Sequence, residues 1–144
     1  MPLLPRKGVL AIAAVIDVAM QTQGQPVSAK TLAARHGLPP RHLEPVLQAL
    51  VRYGILKGIR GPRGGYELAR DRRRVTANDI LRAAGTVDEV DETNDGSDLL
   101  TKIVLPAMAS AEHEFGVALA RISLEDLARD AQALKPAGKS AVRN

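Results

Sequence analysis

The sequence predicts a mainly α-helical fold with one small β-hairpin, and three observations carry that reading. Apolar residues recur at helical spacing through most of the chain. Only residues 55–69 read instead as two short strands about a Gly-rich turn. From Leu99 to Ile122 a helical apolar period continues for more than twenty residues, and so long an apolar face cannot be left in water.

Taken in order, the first element is Val9 to Met20, apolar except for Asp17 and too long for a strand, so it predicts a buried helix. Gln21 to Val27, with Gly24 and Pro26, ends it. Ser28 is placed to cap a helix over Ala29 to His36, with Leu32 and Ala33 facing inward and Gly37 as its stop. Gly37, Leu38 and Pro39 then lead into a helix from Pro40 to Tyr53. Leu43, Val46, Leu47, Leu50 and Val51 define its buried face, which leaves Arg41, His42, Glu44, Gln48 and Arg52 outside. Two helices joined by a short Gly-containing turn outline a helix-turn-helix. Pro45 conflicts with the second helix, because it lacks a backbone donor and crowds the Arg41 carbonyl; either the helix bends there or it begins later.

The hairpin converts this outline into a winged helix-turn-helix. Its strands are expected at Ile55–Ile59 and Tyr66–Ala69, around Arg60-Gly61-Pro62-Arg63-Gly64-Gly65. The glycines allow close approach to another surface, and Arg60 and Arg63 put two guanidinium groups at a tip that suits a phosphate or a groove. Arg70 to Arg74 reads as a solvated, charged loop. Thr76 and Asp79 form a capping box for a helix over Ala77 to Ala84, ended by Gly85. Thr86 to Ser97 is an acidic loop. In the long helix that follows, Pro106 predicts a kink and Gly116 a weakening. Ser123 and Asp126 predict a second capping box, for a last helix from Leu124 to about Leu134. The expected organisation is a DNA-binding winged helix-turn-helix over residues 1–85, an acidic loop over 86–98, dimerisation helices over 99–134 and a disordered tail over 135–144.

Charge separates these parts. Residues 1–85 hold 14 Lys and Arg against 5 Asp and Glu, whereas residues 86–144 hold 6 against 11. Polyanion binding is therefore expected of the first part only. One Phe, two Tyr and no Trp argue against base stacking as the binding mode. The absence of cysteine excludes structural disulfides, thiolate nucleophiles and Cys-ligated zinc or iron–sulfur sites. Met1 to Lys7 does not have the form of a signal peptide, and no apolar run has membrane-spanning length, which predicts a cytoplasmic protein. With no Gly-x-Ser-x-Gly elbow, Walker sequence or paired His ligands, the chain is not expected to be an enzyme.

The string RGPRGGYELAR (residues 60–70), with Leu43-Glu44, Leu47 and Leu50 before it and VTANDILRA and ISLEDL after it, resembles the Rrf2 family of bacterial transcription regulators over almost the whole chain. The resemblance implies a homodimer in which each long helix crosses onto the partner and two winged units meet a palindromic site on double-stranded DNA. It also implies that Arg41 and Glu44 read base edges, that Arg60 enters the minor groove and that Arg6 and Lys7 meet backbone phosphate. Ser28, His42, Gln48 and Arg63 complete the candidate interface. The candidate dimer face is Leu100, Ile103, Val104, Met108, Ala111, Phe115, Leu119 and Ile122.

The chain departs from the family pattern at three places. Many members carry three cysteines and an iron–sulfur cluster in the loop that here spans Val87 to Asp98 and has none. Arg63 stands where a third wing glycine is usual, and Pro39 and Pro45 replace residues that cap or continue the recognition helix. The expectation is therefore a cluster-less repressor with no cofactor and no metal, and with room for a small-molecule effector between its DNA-binding and dimer helices. The alternative is a protein-interaction adaptor that uses the long helix and has lost DNA binding; replacing Arg60 and Arg63 distinguishes the two by the salt dependence of duplex affinity.

Overall fold

A computed structural model describes residues 4–21, 24–85 and 97–134. Helix α1 (Arg6–Ala19) starts three residues earlier than its apolar run, because Pro5 provides the extended entry and Arg6 and Lys7 form an exposed first turn. Its Ala11, Ala14, Val15, Val18 and Ala19 are buried, and the other elements assemble around them. Helix α2 (Ala29–Arg35) begins where Ser28 Oγ accepts the Thr31 N–H at 3.1 Å. The residue that caps its C-terminus, His36, places Nε2 2.8 Å from Asp17 Oδ2, and Arg35 reaches the other oxygen at 3.4 Å, so one α1 carboxylate pins the end of α2. The helix-end histidine therefore has a specific anionic partner in addition to the helix dipole.

Helix α3 (Pro40–Arg52) starts at Pro40 and continues through Pro45. The later start is thus excluded: a first-turn proline needs no donor, and Leu43, Val46, Leu47 and Leu50 bury the opposite face. Strands β1 (Leu56–Ile59) and β2 (Gly65–Leu68) pair antiparallel, with Leu56 opposite Leu68 and Gly58 opposite Tyr66. The reading of Gln21 to Val27 as no more than a connection misses one contact. Val27 forms an isolated bridge to Tyr66, with N–H to carbonyl distances of 3.0 and 2.9 Å, so the wing is fastened to the α1–α2 connection.

The fastening and the hairpin's own turn reassign two glycines. A Cβ on Gly65 would lie 2.5 Å from the Val27 carbonyl carbon and oxygen, and one on Gly64 would lie 2.0 Å from the Ile59 carbonyl oxygen. The close approach they permit is to their own chain.

The arginine run is not simply solvated surface. Residues Arg72–Arg74 form a 3₁₀ turn. Arg70 donates to the carbonyls of Gly54 at 3.1 Å and Tyr53 at 3.3 Å, closing the end of α3. Arg72 joins the Ala19 carbonyl to Glu125, and Arg73 pairs with Asp71. The Asp71 carboxyl is held far below the usual range by the side-chain and then the backbone hydrogen bonds from Arg73.

Helix α4 (Ala77–Ala83) carries the expected capping box, with Thr76 N–H to Asp79 Oδ2 at 3.0 Å and Asp79 N–H to Thr76 Oγ1 at 3.1 Å. The long C-terminal helix opens as a π-helical stretch (Leu99–Val104) and continues as α5 (Leu105–Ala120). The change falls at Pro106, which cannot donate to the Lys102 carbonyl; just before it, the Leu105 N–H reaches back five residues to Leu100. Helix α6 (Leu124–Gln132) has only half of its expected capping box. Ser123 Oγ accepts the Asp126 N–H at 3.0 Å, but the Asp126 carboxylate turns to Arg129.

The core does not stop at residue 85. Leu124 and Ala128 belong to the same buried cluster as α1 and α3, and Val75 and Ala77 exchange backbone bonds with Leu124 and Ile122, both at 2.8 Å. Two members of the expected dimer face also face inward. Leu119 is 6% exposed and packs with Ala77 and Leu81, and Phe115 is half-buried on the same cluster. Most of the acidic loop and the predicted tail lie outside the described residues.

Candidate nucleic-acid interface

The turn between α2 and α3 is set by Gly37, whose φ of +66° disfavours residues with a Cβ, and by Leu38, whose N–H bonds the Ala33 carbonyl at 2.9 Å. Pro39 and Pro40 then launch α3 with its apolar side inward. At about 3.6 residues per turn, Arg41, Pro45, Gln48 and Arg52 fall in one outward stripe, with His42 and Glu44 on its two flanks. All six are exposed. The apolar period of the sequence was enough to locate this face, because burying one side of a helix determines the other.

The wing lies beside it. An open cleft of about 480 Å³ between α3 and the wing is lined by Gln48, Ile59, Arg60, Gly61 and Tyr66, so the structure brings Gln48 and Arg60 to one concavity. A second cleft of about 490 Å³, between the wing and α2, is lined by Gln25, Ser28, Thr31, Arg35 and Arg63. Ser28 is engaged there: its hydroxyl caps α2 and also donates to Thr31 Oγ1 at 3.0 Å. Sequence reasoning missed Thr31, Arg35 and Tyr66. Only the pairing of Val27 with the wing places them at the clefts, and no local pattern announces that pairing.

Arg6 and Lys7 join neither cleft. Leu4, just before them, packs with Ala77, Leu81 and Leu119, so they stand at the α4–α5 end of α1. The other end of that helix, at Val18 and Ala19, adjoins β2.

Arg35, Arg70, Arg72, Arg73 and Arg129 each pair with a carboxylate. Arg41, Arg52, Arg60 and Arg63, on α3 or the wing tip, form no ion pair with a described residue, and neither do Arg6, Arg74, Arg82 and Arg121 elsewhere; all four arginines of α3 and the wing tip are therefore free to meet an anion. The Tyr66 hydroxyl is pushed up by burial and then by the charge of Glu44, so it is a neutral donor at neutral pH. A surface with unpaired guanidinium groups beside two clefts, backed by a packed helix and a fastened hairpin, can hold an anionic polymer by its phosphates. Among the described residues no helix is long and apolar enough to cross a membrane, and no group of three His, Asp or Glu side chains is placed to hold a metal ion.

The model of the Rrf2 family, described as an iron-dependent transcriptional regulator, matches residues 4–130. The HTH-type transcriptional regulator IscR of Xenorhabdus nematophila is 32% identical over 145 aligned positions, covering 94% of this chain and 85% of that protein. Among solved structures, IscR of T. potens superposes with a TM-score of 0.69 at 32% identity, covering 93% of this chain and 92% of the other. CymR (YrzC), the global cysteine regulator of B. subtilis, superposes with a TM-score of 0.67 at 29% identity, covering 90% and 98%.

Proposed function

The chain belongs to the Rrf2 family of transcriptional regulators, and from that premise we propose that it is a homodimeric repressor whose two winged units bind a palindromic operator. In this reading α3 enters the major groove, where Arg41 and Glu44 meet base edges with His42 and Gln48 beside them. Arg60 reaches the minor groove from the wing, and Arg63, Ser28, Arg6 and Lys7 meet backbone. The observation that carries the reading is that Arg41, Arg52, Arg60 and Arg63, the four arginines of α3 and the wing tip, are all exposed and without a carboxylate partner among the described residues, with Arg60 and Arg63 lining the two clefts.

Dimerisation would use the apolar residues that α5 and the segments on either side of it leave in water. Leu100, Ile103, Val104, Met108 and Ile122 are exposed, Ile103 by 61% and Met108 by 53%, and Ala111 lies exposed among them. An apolar strip of that extent on an exposed helix favours a second copy, and a twofold pair would present two α3 helices to two half-sites.

The family description names iron, but the residues of this chain do not fit an iron–sulfur cluster. There is no thiolate donor in the sequence. Of the three histidines, His36 is bonded to Asp17, and His42 and His113 stand on different helices. Regulation here would therefore not run through such a cluster.

Selection of duplexes from a random pool, with sedimentation of the purified protein and its complexes, tests the proposal. The expected result is a dimer that enriches an inverted repeat. A monomer at micromolar concentration, or a pool without sequence preference, overturns it.

A further inference from the structure

Pro45 stands within the outward stripe of α3, one turn after Arg41 and one turn before Gln48, and its side chain is exposed. The interior of a helix is an unfavourable place for proline, because the ring removes the donor that the Arg41 carbonyl would take and crowds that turn. Pro45 belongs to neither buried cluster, so packing inside the chain does not offset this. Its outward neighbours Arg41, Glu44, Gln48 and Arg52 all carry hydrogen-bonding groups. The result is one rigid, apolar ring set among donors and acceptors on the face that would meet base edges.

Such a ring cannot recognise a donor or an acceptor. The apolar feature of a major-groove edge is the C5-methyl of thymine. We propose that Pro45 is a specificity-determining residue that packs its ring on one thymine methyl in each half-site. The proposal rests on the reading of α3 as the major-groove helix. The pyrrolidine ring has almost no side-chain freedom to lose on contact. Burial of one methyl group corresponds to about a fourfold gain in affinity, and of one in each half-site to about fifteenfold.

Replacing thymine by uracil in the selected duplex removes the methyl and leaves every hydrogen-bonding group in place. Each thymine position is replaced symmetrically in both half-sites, and affinity is measured for the full-length protein and for Pro45→Ser. The unmodified protein is expected to lose about fifteenfold at one symmetric position, and Pro45→Ser to show no such loss there. The proposal is overturned if no thymine-to-uracil replacement weakens binding, or if the loss persists undiminished in Pro45→Ser, which would assign it to DNA shape or to another side chain. Arg41→Ala keeps this distinct from the reading beneath it. If Arg41→Ala reduces discrimination among duplexes while uracil has no effect, α3 reads bases and Pro45 does not. If Arg41→Ala and Gln48→Ala leave discrimination unchanged, α3 is not the reading helix and both statements fall.

Discussion

Arg72 lies 2.7 Å from Glu125, nitrogen Nε to oxygen Oε1, and the same guanidinium donates from Nη1 to the Ala19 carbonyl at 3.0 Å. A residue just after the wing thus holds the end of α1 and the start of α6 together. Both partners are half-buried, so the bond is less screened than a surface pair. Arg72→Ala is expected to lower stability by about 2 kcal/mol, the range for hydrogen bonds to charged groups. Urea unfolding followed by circular dichroism checks this, and a midpoint equal to that of the unmodified protein would show that the contact contributes nothing.

The wing arginines make the opposite prediction. Arg60→Ala and Arg63→Ala remove charges that no described side chain neutralises, so each should leave stability nearly unchanged. Each should reduce the slope of log affinity against log salt by about 0.9 per protomer, or about 1.8 per dimer. Arg72→Ala, whose charge is already paired, should bind DNA with the original slope. Equal slopes for all four proteins would remove the wing from the interface.

Gly65→Ala should detach the wing. Its Cβ would need to occupy space 2.5 Å from the Val27 carbonyl, where both neighbours are backbone and cannot swing aside. A loss of roughly 2 kcal/mol or more is expected. Proteolytic cleavage near residues 60–65 and weaker duplex binding should accompany it. Native stability with native protease resistance would contradict the Val27–Tyr66 pairing.

Tyr66 predicts an alkaline limit. Burial, and then the charge of Glu44, raise its ionisation above the ordinary value of 10.0. The folded state therefore holds the phenolic proton more tightly than the unfolded state does. The stabilisation is fully present below pH 10 and is lost as pH rises from there through the raised folded value. Tyr66→Phe should reduce the fall in unfolding midpoint above pH 10 relative to the unmodified protein. Identical profiles in both proteins would show that the hydroxyl is not perturbed.

Two residues on the long helix should behave differently although the apolar period treats them alike. Ile103→Glu, on the exposed strip, is expected to yield a folded protein that sediments as a monomer and loses affinity for a full palindrome more than for a half-site. Leu119→Ala removes a side chain from the chain's own core and should cost about 3 kcal/mol in unfolding measurements. A dimer that withstands Ile103→Glu would move the interface elsewhere.

The sequence alone determined the helices, their inward faces, the hairpin and the basic tip. These follow from apolar periodicity, glycine and proline placement and caps, all of which act over a few neighbouring residues. The fate of the arginine run was not legible, because Arg70 and Arg72 find their partners 16 and 53 residues away in sequence. The attachment of Val27 to the wing, the reuse of Leu119 as core and the entry of α6 into the first domain were hidden for the same reason. A side chain's pattern shows that it must be covered or paired; which surface does so is settled only when distant segments fold together.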